Sequence, residues 1–199
     1  MNASNLDTSS QNLARRTAAR RAQRGVSFVQ LAFIIGIASL LVVAAIIYGP
    51  RYFTKAKVQN EVSALTDFRA ATVSFGSRVG LFTSTNSSLE ALIGQNFFPM
   101  TMVSGTAPNR VVTNQWGGSY TVAVGTIVNA GDAVVLTSTG IPATACTELG
   151  TSLDGIASVI TVNGTTVKTN GNAANPVTVA ANCGGTNGDN NGMAITMPK

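Results

Sequence analysis

The stretch Arg24-Gly25-Val26-Ser27-Phe28-Val29-Gln30 joins two segments of opposite character. Before it stand Arg15, Arg16, Arg20 and Arg21, with Asp7 the only acid. After it, residues 26–49 carry no formally charged side chain. A secretory signal peptide places its apolar stretch ahead of the cleavage site, which follows small residues. Here the small residue, Gly25, comes before the apolar stretch. Cleavage between Gly25 and Val26 would remove the charged head and leave the apolar segment as the new N-terminus.

A membrane-spanning helix needs about 20 apolar residues at a rise of about 1.5 Å each. Residues 26–49 are long enough, and their polar side chains are Ser27, Gln30, Ser39 and Tyr48. The arginines at 15–24 should stay cytoplasmic by the positive-inside rule. Arg51, Lys55 and Lys57 on the other flank weaken that asymmetry without reversing it. The expected topology is leader inside and everything after Pro50 outside. A signal anchor on an unrelated envelope protein would share this hydropathy, so the motif has to discriminate.

The junction resembles the processing site of a type IV prepilin. Gly25 stands before the cut, Val26 is the first mature residue, and Phe28-Val29-Gln30-Leu31 opens the hydrophobic segment. The resemblance implies cleavage and N-methylation at Val26 by a prepilin peptidase on the cytoplasmic face. The long leader and a first mature residue other than Phe look like the type IVb branch, which includes the toxin-coregulated and bundle-forming pilins. The implied fold is α+β. A long N-terminal helix, membrane-spanning in its first half and amphipathic in its second, packs on an antiparallel β-sheet head with a C-terminal disulfide region. The expected divisions are a cleaved basic leader at 1–25, an assembly helix at 26–49, its amphipathic half at 50–80 and the head at 81–199.

One departure concerns the fifth mature position. The family usually has Glu there, thought to pair with the N-terminal amine of a neighbouring subunit, and this chain has Gln30. A buried carboxylate costs several kcal/mol unless it is paired. An amide is cheaper to bury and still accepts a hydrogen bond from an ammonium, but it does not neutralise the charge. Gln30 is therefore an assembly residue by position, and its chemistry points toward minor pilins and pseudopilins as much as toward an abundant subunit. An ordinary polar group near the membrane interface is the plainer reading.

The formal charge of +5 is concentrated at the front of the chain. The leader holds +4 of it, which leaves +1 after processing and no basic footprint for nucleic acid. Charged residues make up 11% of the sequence, and Gly, Thr, Asn, Ser and Ala are abundant, as suits a turn-rich β domain. Cys146 and Cys183 are the two cysteines. An extracytoplasmic location permits a disulfide, which would add roughly 4 kcal/mol by the chain-entropy model. Two unpaired buried thiols are the alternative. The pair also resembles the disulfide-bounded region of type IV pilins, here 146–183.

Val58, Val62, Leu65, Phe68, Thr72, Phe75 and Val79 recur at helical spacing and predict a core-facing stripe that ends near Gly76 or Gly80. Arg51, Lys55, Glu61, Asp67, Arg69 and Arg78 fall mostly off that stripe. Residues 81–118 read as an irregular connection with one short helix, in which Ser87 is the N-cap and Glu90 reaches back. Leu89, Leu92 and Ile93 would face the core. Asn114-Gln115-Trp116-Gly117-Gly118 is similar to an Asn-x-Trp-Gly-Gly segment of many type IVb pilins. Trp116 reads as a core or loop-anchoring aromatic. Strands are expected at 120–124, 133–137, 159–162, 165–168, 177–180 and 193–197, with a helix at 143–157 and an Asn163-Gly164 hairpin turn.

No catalytic constellation stands out. The chain has no His, which removes the usual Ser-His and Cys-His pairs. Asp189-Asn190-Asn191-Gly192 lacks the terminal Glu of a calcium loop and reads as a solvated turn. No metal or cofactor motif is present. The resemblance implies a structural subunit of a type IVb pilus that serves adhesion, aggregation or conjugation. Its partners would be other copies of itself, the prepilin peptidase, the assembly machinery and, before assembly, the bacterial inner membrane. The mature protein would sit in a cell-surface filament. The rivals are a minor pilin or pseudopilin, and a membrane-anchored periplasmic binding module that never polymerises.

Overall fold

The computed structural model describes residues 27–185 and 187–199, with Pro50 described by its backbone only. Gly25 and Val26 lie outside the described residues. The chain divides into two compact units at Gly49 and Pro50. Helix α1, Phe28–Val79, is continuous in secondary structure across that division.

In the first unit the side chains of α1 are exposed almost throughout. Phe28 is 84% exposed and Leu40 71%. The second unit, Pro50–Lys199, contains the core. Val58, Leu65, Phe68, Thr72 and Phe75 are buried there, as the helical stripe predicts, while Val79 at the helix end stays exposed. Helix α1 stops where Gly80 takes a φ of +80°.

The head is α+β. Helix α2, Leu89–Gly94, follows α1, and the short strands β1, Val103–Ser104, and β2, Val111–Val112, pair antiparallel. The main sheet contains β3, Tyr120–Thr126; β4, Ala130–Ile141; β5, Val159–Val162; β6, Thr165–Lys168; and β7, Asn191–Pro198. Their order is β3-β4-β7-β5-β6, antiparallel throughout. Leu136 of β4 faces Val122 of β3 on one side and Ile195 of β7 on the other. The period-two alternation buries Met193, Ile195 and Met197 on one face.

Aromatic rings join α1 to the rest of the core. Phe68 lies 5.4 Å from Phe97 and 5.1 Å from Phe98, centroid to centroid, and Phe98 continues to Tyr120 at 5.9 Å. Helix α3, Ala143–Ser152, and helix α4, Pro176–Cys183, pack beside the sheet. Between β5 and β6, Asn163 and Gly164 take φ of +49° and +84°, as the Asn-Gly hairpin turn requires.

Five expectations need correction. Residues 177–180 are not a strand but lie in α4. The side chain of Asn175 caps that helix through Val177 N and Thr178 N, and Pro176 supplies a fixed φ in the first turn. The cap of α2 is Ser88, whose Oγ accepts from Ala91 N at 3.3 Å, rather than Ser87. Glu90 does not reach back. It accepts from Arg110 N and Nε at 2.8 and 2.7 Å, because a guanidinium offers a stronger partner than an exposed helix-end amide. Asn191 is not solvated but fully buried. Glu61 lies on the core stripe, not off it, and is fully buried too.

Candidate functional site

Three features carry the functional reading: the start of α1, the loop at 114–118 and the cysteine pair. At the start of α1, Gln30 Oε1 accepts from Ser27 N at 3.2 Å. Ser27 and Gln30 have the spacing of a capping box, so the amide satisfies one of the orphan donors at a helix start. Ser39 returns its hydroxyl to Gly36 O at 2.8 Å. With those groups satisfied locally, the outer surface of this segment is aliphatic and aromatic. Its most apolar stretch is long enough to cross a membrane, and none of it is buried.

The loop Asn114-Gln115-Trp116-Gly117-Gly118 is organised by the Asn114 amide. Its Nδ2 donates to Ser138 Oγ at 2.9 Å and to Thr139 O at 2.6 Å. Its Oδ1 accepts from Trp116 N at 3.0 Å and Gly118 N at 2.8 Å. One side chain thus folds the loop onto itself and fastens it to β4. Trp116 packs half-buried against the core, as expected of a loop anchor. Gly117 has a φ of +85°, and a Cβ on Gly118 would stand 1.7 Å from Thr139 O. Both glycines are demanded by backbone geometry.

Glu61 ties this loop to α1. Its Oε2 accepts from Gln115 N at 3.4 Å, and its Oε1 accepts from the hydroxyl of Tyr120. Burial pushes the Glu61 carboxyl above the usual carboxylate range, against the pull of these two donors. Burial also pushes the Tyr120 phenol up, reinforced by the neighbouring Glu61 charge. The periodicity held the signal for Glu61, three residues after Val58 and four before Leu65. The pattern of apolar residues alone hid it.

Cys146 of α3 and Cys183 of α4 form a disulfide with Cα atoms 5.7 Å apart, across 37 residues of sequence. Both are fully buried. A second buried hub closes the same end of the head. Asn191 Nδ2 donates to Ile141 O at 2.9 Å, and its Oδ1 accepts from Asn163 Nδ2 at 2.8 Å. Among the described residues no cluster of His, Cys, Asp or Glu is placed to hold a metal.

The family model described as PilS N terminal matches residues 55–198, well over half of the chain. The chain belongs to the type IVb pilin family. This pilin also shares its fold with solved structures. The crystal structure of the type IVb pilin from Salmonella typhi aligns with a TM-score of 0.55 at 18% identity, covering 69% of this chain and 97% of that one. TcpA, a type IV pilin from Vibrio cholerae El Tor biotype, aligns at 0.50 with 16% identity, over 71% and 98% of the two chains. The NMR structure of PilS from Salmonella typhi aligns at 0.50 with 20% identity, over 71% and 96%. No curated protein matches by sequence. As a pilin the chain is a structural protein rather than an enzyme. An N-terminal apolar helix and a disulfide-closed antiparallel head are the parts such a protein needs.

Proposed function

We propose that this pilin is a structural subunit of a type IVb pilus. A prepilin peptidase cuts between Gly25 and Val26 and methylates the amine of Val26. The subunit waits in the inner membrane with its leader cytoplasmic, then enters a cell-surface filament of many copies. Residues 26–49 are its assembly segment, 50–80 the spine of the head, and 81–199 the head itself. The filament serves adhesion, aggregation or conjugation.

The observation that carries this reading is the uncovered apolar surface of α1 ahead of a head whose own core is complete. Such a surface needs lipid or other helices. Since it starts in lipid, the gain on assembly comes largely from helix packing rather than from leaving water. Gln30 favours a second reading, a low-copy minor pilin, because the amide does not neutralise a neighbour's ammonium.

Mass spectrometry of subunits from sheared filaments tests the proposal. The chain should begin at Val26 with a methylated amine. A bulky replacement of Gly25 should leave full-length precursor in the membrane. Intact chain beginning at Met1 within purified filaments would refute it. Copy number in the same filaments separates a major from a minor subunit.

A further inference from the structure

The head contains a polar cleft of about 360 Å³ that neither the assembly segment nor the disulfide uses. We propose that this cleft binds an acidic sugar, a polyol bearing one carboxylate, through Arg69, Asp154, Ser158, Lys168, Asn170 and Asn172.

The argument begins with unspent hydrogen-bonding capacity. Lys168 is only 8% exposed, and its ammonium donates to Asp154 O at 2.6 Å and Asp154 Oδ1 at 2.7 Å. An ammonium has three donors, so one remains. Arg69 spends a single donor, Nη1, on Gly155 O at 3.1 Å, which leaves most of its planar fork unmatched among the described residues. Asp154 Oδ1 also accepts from Ala174 N at 2.6 Å, while Oδ2 accepts no protein hydrogen bond among the described residues. The Lys168 ammonium holds the Asp154 carboxyl below the usual carboxylate range, so it is ionised at neutral pH. The cleft therefore combines two cations with one anion.

That mixture selects the ligand. The excess cation and the fork of Arg69 suit a carboxylate. A bare anion would meet the Asp154 charge with nothing to offer it. A polyol hydroxyl donates to Oδ2 and turns the same carboxylate into a partner. The amides of Asn170 and Asn172 both donate and accept, as vicinal hydroxyls require. An ion pair that merely fastens the hairpin, buried on the Lys168 side alone, accounts for Lys168 and Asp154. It does not account for the open guanidinium beside them.

The test uses the full chain in detergent micelles, titrated with glucuronate and with N-acetylneuraminate. Glucose is the uncharged control and sulfate the bare-anion control, and sialyllactose distinguishes a glycan end from a free acid. At least one sugar acid should bind saturably and about tenfold tighter than either control. Arg69→Gln should weaken that binding about tenfold with unchanged thermal unfolding, as expected on losing a charged hydrogen-bonded contact. Asn170→Ala should weaken it as well. The proposal falls if neither sugar acid saturates, if sulfate binds equally well, or if Arg69→Gln binds undiminished.

Discussion

The hydroxyl of Tyr120 donates to the Glu61 carboxylate inside the head, and this contact joins α1 to the first strand of the sheet. Phe98 stacks beside it, so an apolar aromatic cluster and one buried acid share the same seam. A buried acid is costly unless its oxygens are occupied. Here Tyr120 and Gln115 occupy both oxygens, one from the sheet and one from the loop. The carboxyl group thereby links helix, strand and loop in one arrangement.

Removing the phenol should be expensive. Tyr120→Phe leaves the buried Glu61 carboxylate with one donor, and a hydrogen bond to a charged group is worth about 1.5–3 kcal/mol. Chemical denaturation above the raised Glu61 value, where the group is ionised, should show a loss of about that size. Combining it with Glu61→Gln should recover part of the loss, because an amide is cheaper to bury than an unpaired charge. Strict additivity of the two changes would contradict the contact.

The pH dependence has a defined sign. The Glu61 carboxyl titrates higher in the folded state than in the unfolded chain, so the folded state holds that proton more tightly. The unsubstituted protein should gain stability relative to Glu61→Gln as pH falls through the raised Glu61 value. The gain should be complete below the ordinary carboxylate range. Asp132 and Asp154 work the other way, because backbone amides and Lys168 respectively depress their carboxyls. Their contributions are full above the ordinary carboxylate range and fade as pH falls through the depressed values. They occur in both proteins and cancel in the comparison of denaturation midpoints.

The two loop glycines should respond differently. Gly118→Ala drives a methyl into Thr139 O, and overpacking of this kind costs about 1–3 kcal/mol or more. Gly117→Ala has open space and loses only the ease of a positive φ, about 1 kcal/mol. Denaturation midpoints of the two variants should therefore rank Gly118→Ala as the less stable. The reverse order would mean that the loop is not held against β4 by Asn114.

Much of this architecture was legible in the residues. The stripe from Val58 to Phe75, the Asn163-Gly164 turn and the alternation in β7 all report local rules with a fixed period. The cysteine pair needed only a compartment. Glu61 shows its place on the stripe by spacing, but its partner Tyr120 is distant in sequence, and Asn191 is not legible at all, because partners such as Ile141 lie far along the chain. Helix α4 departs from the strand expected there for a different reason. Val177, Thr178 and Val179 favour a strand by type, and the Asn175-Pro176 start signal overrides that preference.

The disulfide prediction follows from its place between two helices. Cys146→Ser or Cys183→Ser should cost about 2–5 kcal/mol, as loss of a native disulfide commonly does in small secreted domains. Alkylation of the native, unreduced protein should label neither thiol. Subunit abundance should fall in either variant before any specific interaction changes. Labelling of both thiols without reduction would overturn the claim.

Gln30 has two demands on one side chain. Within the chain its amide oxygen closes on Ser27 N, a hydrogen bond worth about 0.5–1.5 kcal/mol. Under the proposed assembly, the same oxygen would be the acceptor offered to a neighbour's N-terminal ammonium. Gln30→Leu removes the acceptor from both and should lower incorporation. Gln30→Glu keeps the acceptor and adds a negative charge in the first turn of α1, where the helix dipole favours it. Attraction to a neighbouring ammonium grows as the dielectric falls, so Gln30→Glu should incorporate at least as well as the unsubstituted chain. The measurement is the ratio of this subunit to total protein in sheared filaments. Equal ratios for all three side chains would leave Gln30 as a local cap with no part in assembly. A loss confined to Gln30→Glu would mean that desolvating the carboxylate outweighs its attraction to the ammonium.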